Sequence, residues 1–347
     1  MNIHQAFTYN GIRKSKENWI SFIASTVGEA SEWEQPLLTF MQSWLNDEDF
    51  VEVKTSGSTG QPKTWKVNKS AMVASATLTA NYFNRKEGTT AFLCLPGSFI
   101  AGKMMLVRSM VYGWNLTVAR PTSTPLSALT SPYDFAAFTP MQLATLNESQ
   151  LQLLSRFGSV IIGGAAVSES LCVRLAKYCD NVYETYGMAE TLSHIALRKL
   201  TGPETHFQAL DGIRLMTDSE GRLQIFAPHL HSEIICTNDM VELIDERTFL
   251  FKGRYDRMIN SGGIKLFAET IERKLESILS VPYLIGSEPD GTFGEKVVLY
   301  IEANSSIDLK AMEERMKLKL DRYEVPKVIK IVEKLARTES GKIKLIQ

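Results

Sequence analysis

The chain has 347 residues, a formal net charge of −1 and 44% hydrophobic residues. This composition is typical of a globular protein with a sizeable core, and the length predicts roughly two domains. The balanced charge gives no reason to expect a nucleic-acid or acidic-membrane partner. No apolar stretch is long enough to span a bilayer, and the first residues lack a secretory pattern. We therefore predict a cytoplasmic protein.

Cysteines give no indication of a metal framework or of an oxidising compartment. Cys94, Cys172, Cys179 and Cys236 are widely separated, lie in apolar segments and form no Cys-x-x-Cys pair. We predict that all four are reduced residues of the core. The sequence does not indicate the oligomeric state, and a homo-oligomer is one of the possibilities.

The first fifty residues are predicted to be largely helical, because apolar side chains recur there at helical spacing. A short alternating run at 50–53 predicts a strand. Asn68 or Ser70 can then cap a helix that runs to about residue 83. The residues expected to form the first apolar helical face are Trp33, Leu37, Leu38, Phe40, Met41 and Trp44.

A stretch rich in glycine and hydroxyl side chains separates that strand from the capped helix. It reads Lys-Thr-Ser-Gly-Ser-Thr-Gly-Gln-Pro-Lys over residues 54–63. Gly57 and Gly60 let the backbone fold around a bulky anion, so that successive N–H groups point at one centre. We predict a phosphate cradle, with a flexible surface turn as the alternative. The spacing is not that of the Gly-x-x-x-x-Gly-Lys-Ser/Thr loop. Hydroxyl donors and a positive charge come from Thr55, Ser56, Ser58, Thr59 and Lys63.

From residue 91 to residue 187, apolar strand-like runs alternate with helical stretches. This alternation predicts a parallel sheet buried on both faces, whose ligands bind at the carboxyl ends of its strands. Loops at 96–99, 163–166 and 184–190 fall at such ends. The strand-like runs are 91–95, 116–119, 135–138, 160–162 and 182–183, and the helical stretches lie near 101–112, 141–157 and 167–178.

The last third of the chain has a different texture. Short strands separated by turns over residues 194–252 predict a small antiparallel β subdomain. Residues 257–347 are rich in lysine and predict a separate α+β domain, with helices at about 268–279 and 308–321.

Five short motifs, in this order, resemble those of the adenylate-forming acyl-CoA synthetases. Residues 55–63 resemble the phosphate loop of that family, and residues 186–190 resemble its Tyr-Gly-x-Thr-Glu motif. Asp239 matches the ribose-binding aspartate, and residues 253–256 match the Gly-Arg-x-Asp entry to the hinge. Residues 337–342 are similar to the C-terminal Arg-Thr-x-x-Gly-Lys. The resemblance covers about residues 50–347.

This resemblance implies a fold and an activity. The fold would be α/β, with a large N-terminal adenylate-forming domain over 1–252, containing a parallel sheet and a small β subdomain. A small mobile α+β domain over 253–347 would carry a catalytic lysine. The activity would be that of an ATP-dependent acid–thiol ligase: a carboxylate attacks the α-phosphate of ATP, and coenzyme A then displaces AMP from the acyl-adenylate. One lysine about 4 Å away offsets about 4 kcal/mol of the repulsion between the two anions.

The family's roles, carried over by motif, place the nucleotide. Tyr186 would stack on the adenine beside Gly187, and Asp239 and Arg254 would bind the ribose hydroxyls. Glu190 would ligate Mg²⁺, which prefers carboxylate and phosphate oxygens. The β- and γ-phosphates would be held by Thr55, Ser56, Gly57, Ser58, Thr59, Gly60 and Lys63, and the adenine would approach the backbone at Gly163, Gly164 and Ala165.

The remaining carried-over roles concern the first chemical step and the domain rotation. Lys342 would bridge the reacting carboxylate and the α-phosphate, with Glu190 and Arg254 as further catalytic residues. Asp256 would be the hinge about which the C-terminal domain rotates, opening a thiol tunnel.

The acid is indicated by two further stretches, 95–108 and 139–143, which resemble o-succinylbenzoate–CoA ligases of menaquinone biosynthesis. Arg108 falls where those ligases carry an arginine, and Arg108 or Lys103 would hold the unreactive carboxylate of the dicarboxylate. Phe99 and Thr139 would complete the acid pocket. The alternatives are a surface position for Arg108, another acyl- or aryl-CoA ligase, and a catalytically silent nucleotide-binding module.

The sequence also departs from the family pattern. Only about fifty residues precede the phosphate loop, where the family has a longer leading subdomain. Phe99 replaces a common histidine, Ala336 replaces a proline, and Ala189 replaces the usual threonine. Loss of one neutral hydrogen bond from that threonine costs about 1 kcal/mol, which would slow the reaction without excluding it.

Overall fold

The computed structural model describes residues 3–54, 64–129, 131–201, 206–302 and 308–337, together with residue 343. The predicted phosphate loop, residues 55–63, and the predicted catalytic Lys342 therefore lie outside the described residues. The helices are α1 (Lys16–Thr26), α2 (Gln35–Leu45), α3 (Lys69–Tyr82), α4 (Ile100–Tyr112), α5 (Pro140–Ala144), α6 (Glu148–Gln152), α7 (Glu169–Ala176), α8 (Ala268–Leu275) and α9 (Leu309–Lys319). Short 3₁₀ turns span Pro125–Ala128, Leu153–Arg156 and Tyr255–Arg257.

Strands fall into a large sheet, a smaller sheet and one two-stranded ribbon. The strands before residue 200 are β1 (Thr8–Tyr9), β2 (Ile12–Arg13), β3 (Phe50–Lys54), β4 (Thr64–Asn68), β5 (Thr90–Leu93), β6 (Asn115–Val118), β7 (Tyr133–Phe138), β8 (Phe157–Ile162), β9 (Val182–Gly187) and β10 (His194–Lys199). The later strands are β11 (Phe207–Ala209), β12 (Arg214–Thr217), β13 (Arg222–Phe226), β14 (Ile235–Asp245), β15 (Thr248–Arg254), β16 (Met258–Ser261), β17 (Ile264–Phe267), β18 (Tyr283–Asp290), β19 (Gly294–Glu302) and β20 (Val328–Val332).

The predicted parallel sheet is confirmed. Strands β6, β5, β7, β8 and β9 lie side by side in parallel pairs. Successive residues of a strand face opposite sides, so Phe135 and Ala137 enter one core while Ala136 and Phe138 enter the other. Helices α2, α3 and α4 contribute to the first core, and α5, α6 and α7 contribute to the second. The carboxyl ends of the parallel strands are thus the open edge of a three-layer arrangement.

The antiparallel strands continue the same sheet. Strand β10 pairs antiparallel with β9, and the order then runs β11, β15, β14, β13, β12. The predicted antiparallel strands after residue 194 are therefore joined to the parallel part through the β9–β10 hairpin. The described residues form thirteen strands of this sheet, and the predicted α/β fold class is confirmed.

The C-terminal part has its own sheet and core. Strands β16 to β20 form a five-stranded sheet, and Ile271, Leu299 and Met316 lie in a core separate from the two described above. The large sheet ends at Arg254 and the smaller sheet begins at Met258. A division after residue 252 remains a prediction. Across it, Thr270 Oγ1 donates to the Lys252 carbonyl over 2.7 Å.

Two local predictions were wrong for identifiable reasons. Residues 8–13 form the β1–β2 hairpin instead of a helix, because Asn10 and Gly11 adopt the positive φ values (48° and 78°) that tight hairpin turns require. The helical stretch predicted at 141–157 is broken, because Asn147 starts a new helix through a capping box with Gln150.

The cysteine prediction holds in part. All four cysteines are free, and Cys94 and Cys179 are buried. Cys236 is exposed and Cys172 is half-buried, so their placement in the core was wrong. Cys236 lies on β14, where alternate side chains face outward. Among the described helices, none is long and apolar enough to cross a membrane.

Candidate active site

The β9–β10 hairpin lies at the carboxyl edge of the parallel sheet, where the fold predicts a ligand. At its turn, a Cβ atom on Gly187 would lie 2.3 Å from the Ser193 carbonyl oxygen, so only glycine allows the two arms to approach this closely. Thr191 fixes the turn from within, since its hydroxyl accepts from the Met188 N–H (2.9 Å) and contacts the Ser193 carbonyl (2.8 Å). The hairpin therefore presents its flanking side chains in a defined arrangement.

Tyr186 and Asp239 form one side of this region. The Tyr186 hydroxyl donates to Asp239 Oδ2 over 2.5 Å, and its ring packs edge-on against Phe249 with centroids 5.0 Å apart. Asp239 is buried, and desolvation raises the pKa of its carboxyl group above the ordinary value. The nearby charge of the exposed Glu190 raises it further. Two residues that the motifs separate by 53 positions are thus in direct contact.

Arg254 joins this pair because β14 and β15 place it directly opposite Asp239 in the antiparallel register. Its Nη1 lies 3.6 Å from Asp239 Oδ1. It also donates in a bidentate manner to Asp256, from Nε to Oδ1 (3.0 Å) and from Nη2 to Oδ2 (3.2 Å). The structure therefore brings together the residues predicted for the adenine, the ribose and the hinge.

The predicted adenine turn at 163–166 lies beside the same strand end. Gly164 has φ +90°, and a Cβ on Gly163 would meet Thr185 Oγ1 at 2.4 Å. Sequence reasoning missed Glu184, a buried carboxylate that accepts from the Val167 N–H (2.9 Å) and pairs with Arg198. A carboxylate in the middle of an apolar strand was the available signal. Its role is to fix the end of this turn against β9.

Arg108 forms the other side of the region. It is only 2% exposed, so the alternative of a surface arginine is wrong. Its Nη2 donates to Ser193 Oγ over 2.9 Å, and its Nε has no hydrogen-bond partner. Burial lowers the pKa of Arg108 to about 9. Because this value is still above neutral pH, the guanidinium remains charged there. Among the described residues, no carboxylate forms an ion pair with it.

Ser193 and His194, which the sequence reasoning also missed, lie next to Arg108. His194 is buried, with Nε2 3.2 Å from Thr79 Oγ1 and Nδ1 3.5 Å from Ser193 Oγ. Desolvation, followed by the charge of Arg108, holds the pKa of His194 well below its usual range. A serine and a histidine that directly follow the 186–190 motif were the signal that could have found them.

The other predicted acid-site residues are placed differently. Lys103 lies over the Phe40 ring, 5.6 Å from its centroid, and is five residues from Arg108. Five residues correspond to about 140° around a helix, so the two cations face different neighbours. Phe99 precedes α4 and is exposed. Thr139 caps α5 in a capping box with Gln142, which commits its hydroxyl to the helix.

Metal ligands in the described ranges do not form a preassembled cluster: no group of three or more His, Cys, Asp or Glu side chains could hold an ion. Mg²⁺ on a nucleotide commonly takes one or two carboxylates, with phosphate oxygens and water completing its shell. A single exposed carboxylate such as Glu190 therefore fits that ion.

A parallel α/β sheet with a buried Tyr–Asp pair and an exposed arginine beside it, near the carboxyl ends of the strands, is typical of a nucleotide-binding class of enzyme. The profile of the AMP-binding enzyme family matches residues 26–214, more than half of the chain. The chain belongs to this family, and it is an AMP-forming acid–thiol ligase. The family expected from the five motifs is thereby confirmed.

Three similar proteins indicate where the chain lies within the family. A 2-succinylbenzoate–CoA ligase of Staphylococcus epidermidis is 24% identical over 323 residues, covering 83% of this chain and 67% of that protein. An AMP-forming acyl-CoA synthetase/AMP-acid ligase II-like protein from Dyadobacter fermentans is 34% identical, with a TM-score of 0.63, and covers 92% of this chain and 95% of that one. The o-succinylbenzoate coenzyme A synthetase of Bacillus subtilis, in complex with ATP and magnesium ion, has the same fold. It is 20% identical, with a TM-score of 0.70, and covers 84% of this chain and 68% of that one.

Proposed function

We propose that this enzyme is an o-succinylbenzoate–CoA ligase, which converts o-succinylbenzoate, ATP and coenzyme A into o-succinylbenzoyl-CoA, AMP and pyrophosphate for menaquinone biosynthesis. The observation that carries this proposal is Arg108. A guanidinium that is 2% exposed and has no ion-paired carboxylate among the described residues is an unusual arrangement in a protein interior. An anionic substrate group would supply the missing charge.

The chemistry of the substrate fits that requirement. o-Succinylbenzoate has two carboxylates, of which one is adenylated and the other is held. Arginine binds a carboxylate through two parallel hydrogen bonds, and the unpartnered Nε of Arg108 leaves one such donor available. A fatty-acid tail would leave this charge buried and uncompensated. The name of the Staphylococcus epidermidis relative supports the same acid.

The nucleotide side of the proposal rests on the cluster around Asp239. Tyr186 would stack on the adenine beside Gly187 and the turn of Gly163, Gly164 and Ala165. Asp239 and Arg254 would receive the ribose hydroxyls, since a carboxylate acceptor and a guanidinium donor lie there 3.6 Å apart. Asp239 is already held by Tyr186 and Arg254, which orients its remaining acceptor sites.

Charge on the triphosphate is the remaining requirement. Glu190 would ligate Mg²⁺, which supplies charge neutralisation on the β- and γ-phosphates when bound. The residues at 55–63 would cradle those phosphates through backbone N–H groups and hydroxyls. Lys342 would bridge the reacting carboxylate and the α-phosphate, where it offsets their repulsion.

Two steps follow from this arrangement. In the first, one carboxylate oxygen attacks the α-phosphorus and pyrophosphate leaves. In the second, the thiol sulfur of coenzyme A attacks the acyl carbon and AMP leaves. We propose that the domain over 253–347 rotates about Asp256 between them, withdrawing Lys342 and admitting the thiol. This proposal is supported by the contacts of Arg254, which donates to Asp256 over 3.0 Å and lies 3.6 Å from Asp239.

The proposed partners are small molecules: the acid, ATP and coenzyme A. We propose a cytoplasmic location because all four cysteines are free thiols, as expected in a reducing compartment. The single exposed thiol, Cys236, would otherwise be open to oxidation.

The test measures KM for two acids in variants of Arg108 and of Lys103. With o-succinylbenzoate, Arg108→Met should raise KM at least about 100-fold, the loss expected for a buried charge-assisted pair. With 4-oxo-4-phenylbutanoate, which lacks the second carboxylate, the same variant should change KM little. The same two KM values are measured for Lys103→Met. The assignment of Arg108 to the second carboxylate would be contradicted by a larger KM increase in Lys103→Met, or by an equal KM increase for both acids in Arg108→Met.

Arg85→Met provides a matched control. Arg85 also donates from Nη2 to a serine, Ser159 (2.9 Å), and also has an unpartnered Nε, but its serine lies on β8 and not in the β9–β10 hairpin. Its substitution should leave both KM values unchanged. If wild-type enzyme turns over an aryl or fatty acid but not o-succinylbenzoate, the enzyme class holds and the proposed acid is wrong.

A further inference from the structure

A directional chain of hydrogen bonds runs from Arg108 to helix α3. Arg108 Nη2 lies 2.9 Å from Ser193 Oγ, Ser193 Oγ lies 3.5 Å from His194 Nδ1, and His194 Nε2 lies 3.2 Å from Thr79 Oγ1. The Thr79 hydroxyl in turn donates to the Ser75 carbonyl over 3.3 Å. The chain thus connects α4, the β9–β10 hairpin and α3.

One assignment of protons satisfies all four contacts of this chain. When Thr79 uses its only hydrogen for the Ser75 carbonyl, its oxygen accepts from His194, whose proton is then assigned to Nε2. His194 Nδ1 is then an acceptor. Ser193 accepts from Arg108, so its own hydrogen is available for that nitrogen.

The histidine is neutral for two reasons. It is buried, and the Arg108 guanidinium is the charged group that acts on it, so both effects oppose protonation. The other groups that face it are Thr79 on α3 and Ser193 at the end of the loop, neither of which is ionised near neutral pH. A neutral ring with a fixed tautomer can orient a serine hydroxyl in one direction only.

We infer that His194 is a positioning residue of the acid site: through Ser193 it holds the Arg108 guanidinium in the orientation that receives the second carboxylate of a dicarboxylic acid. The inference rests on the proposed function of Arg108. His194 does not touch the substrate in this scheme. Its contribution is to select dicarboxylates over monocarboxylates by fixing a donor that only a dicarboxylate uses.

The experiment measures steady-state kinetics of His194→Leu, His194→Gln and Thr79→Val with o-succinylbenzoate and with 4-oxo-4-phenylbutanoate. For His194→Leu, KM for o-succinylbenzoate should rise about tenfold while kcat stays within about twofold, because a positioned contact and not a reacting group is lost. KM for the monocarboxylate and for ATP should not change. His194→Gln should recover part of the loss, since an amide can replace one ring nitrogen as a partner.

A double-mutant comparison separates this inference from the proposed function. If His194 acts through Arg108, then His194→Leu should add no further KM increase in the Arg108→Met background. An additive increase would overturn the inference while leaving the role of Arg108 intact. An unchanged o-succinylbenzoate KM in Arg108→Met alone would instead contradict the proposed function.

The tautomer provides a readout that does not depend on turnover. The chain has five histidines, so ¹⁵N spectra of the full-length enzyme can resolve each ring. We expect one ring that stays neutral and protonated on Nε2 across neutral pH and that is missing from His194→Gln. Thr79→Val should change its chemical shifts. A charged ring, or one protonated on Nδ1, would overturn the inference even if His194→Leu failed to fold.

Discussion

Two arginines flank the β9–β10 hairpin, and their surroundings are opposite. Arg254, on the side of Tyr186, has a side chain that is 46% exposed and is paired with two carboxylates, Asp239 and Asp256. Arg108, on the side of His194, is 2% exposed and contacts a serine hydroxyl. One cation is neutralised within the protein, and the other has no anionic partner among the described residues.

This difference indicates how each side meets its ligand. On the Arg254 side the charges are already balanced, so hydroxyl groups can bind there with little electrostatic change. On the Arg108 side a bound carboxylate would be attracted by a whole positive charge that no other anion neutralises among the described residues. This attraction is strong because interactions between charges strengthen as water is excluded. We therefore expect substitutions on the Arg254 side to weaken binding by displacing the ligand, and substitutions on the Arg108 side to weaken binding by removing a charge.

The largest expected effect concerns Lys342, which is proposed to act on both the acid and the nucleotide. Lys342→Ala should lower carboxylate-dependent ATP–pyrophosphate exchange at least about 100-fold, the cost of removing one stabilising donor at a developing charge. Thioester formation from supplied acyl-adenylate should be spared, because the proposed rotation withdraws the lysine in that step. Exchange that survives in the variant would remove the lysine from the scheme and leave the two arginines as the charged groups.

Asp239→Asn tests the balanced side. The substitution leaves Arg254 with one carboxylate and weakens the bond from Tyr186, so we expect KM for ATP to rise about tenfold. KM for o-succinylbenzoate at saturating ATP should stay near the wild-type value. Glu242→Gln, on the same strand but paired with Lys252, is the matched control and should change neither constant. An equal rise in both KM values would mean that the two sides are not independent.

The stability of Arg108→Met, measured without substrate, tests whether the Arg108 charge is uncompensated in the folded protein. The guanidinium is charged at neutral pH in both the folded and the unfolded chain, so the whole cost of its burial is present there. Replacing a buried ion pair by well-packed apolar groups is often neutral or stabilising by about 1–4 kcal/mol, and Arg108 lacks even the attraction of an ion-paired carboxylate among the described residues. After loss of the Ser193 hydrogen bond, we expect the melting temperature of the ligand-free enzyme to rise by about 2–4 °C.

Calorimetry of Arg85→Met is the control for that measurement. Arg85 is only half-buried, so its replacement should give no such gain. A lower melting temperature for Arg108→Met than for Arg85→Met would mean that the folded protein compensates the Arg108 charge in another way.

The smallest expected effect is a pH dependence on the acid side. The pKa of His194 is depressed in the folded state, so below about pH 6.5 the unfolded chain binds a proton that the folded chain does not. Stability should therefore fall as the pH decreases from that value toward the folded pKa. Denaturant unfolding of wild type and His194→Gln over this range checks the sign. The curve of the variant should be flatter, and a steeper one would contradict the assigned neutral ring.

The contact between the residues proposed for the nucleotide, Tyr186, Asp239 and Arg254, was suggested by the sequence, because they stand in short motifs whose order is distinctive. The motifs did not predict that Arg254 lies opposite Asp239. That position depends on the register in which β14 pairs with β15. The parallel strands were predictable from their apolar runs. The β1–β2 turn was also readable from Asn10–Gly11, a pair that favours tight hairpins.

The acid side was harder because its contacts join distant segments. Arg108 meets Ser193 across 85 positions, and Thr79 meets His194 across 115. No local pattern marks a serine and a histidine as partners of a helix elsewhere in the chain. Only the packing of α3 and α4 against one face of the sheet brings these side chains together.

The close approach of Gly187 to Ser193 has a consequence for how such an enzyme could change its substrate over time. Because the backbone at Gly187 touches the carbonyl of Ser193, a one-residue insertion or deletion in the loop would displace Tyr186 and Ser193 together. In the proposed site, a change in the length of this loop would therefore disturb ATP binding together with the acid pocket. New acid preferences would be reached more readily through substitutions at position 108 on α4, which leave the length of the loop unchanged.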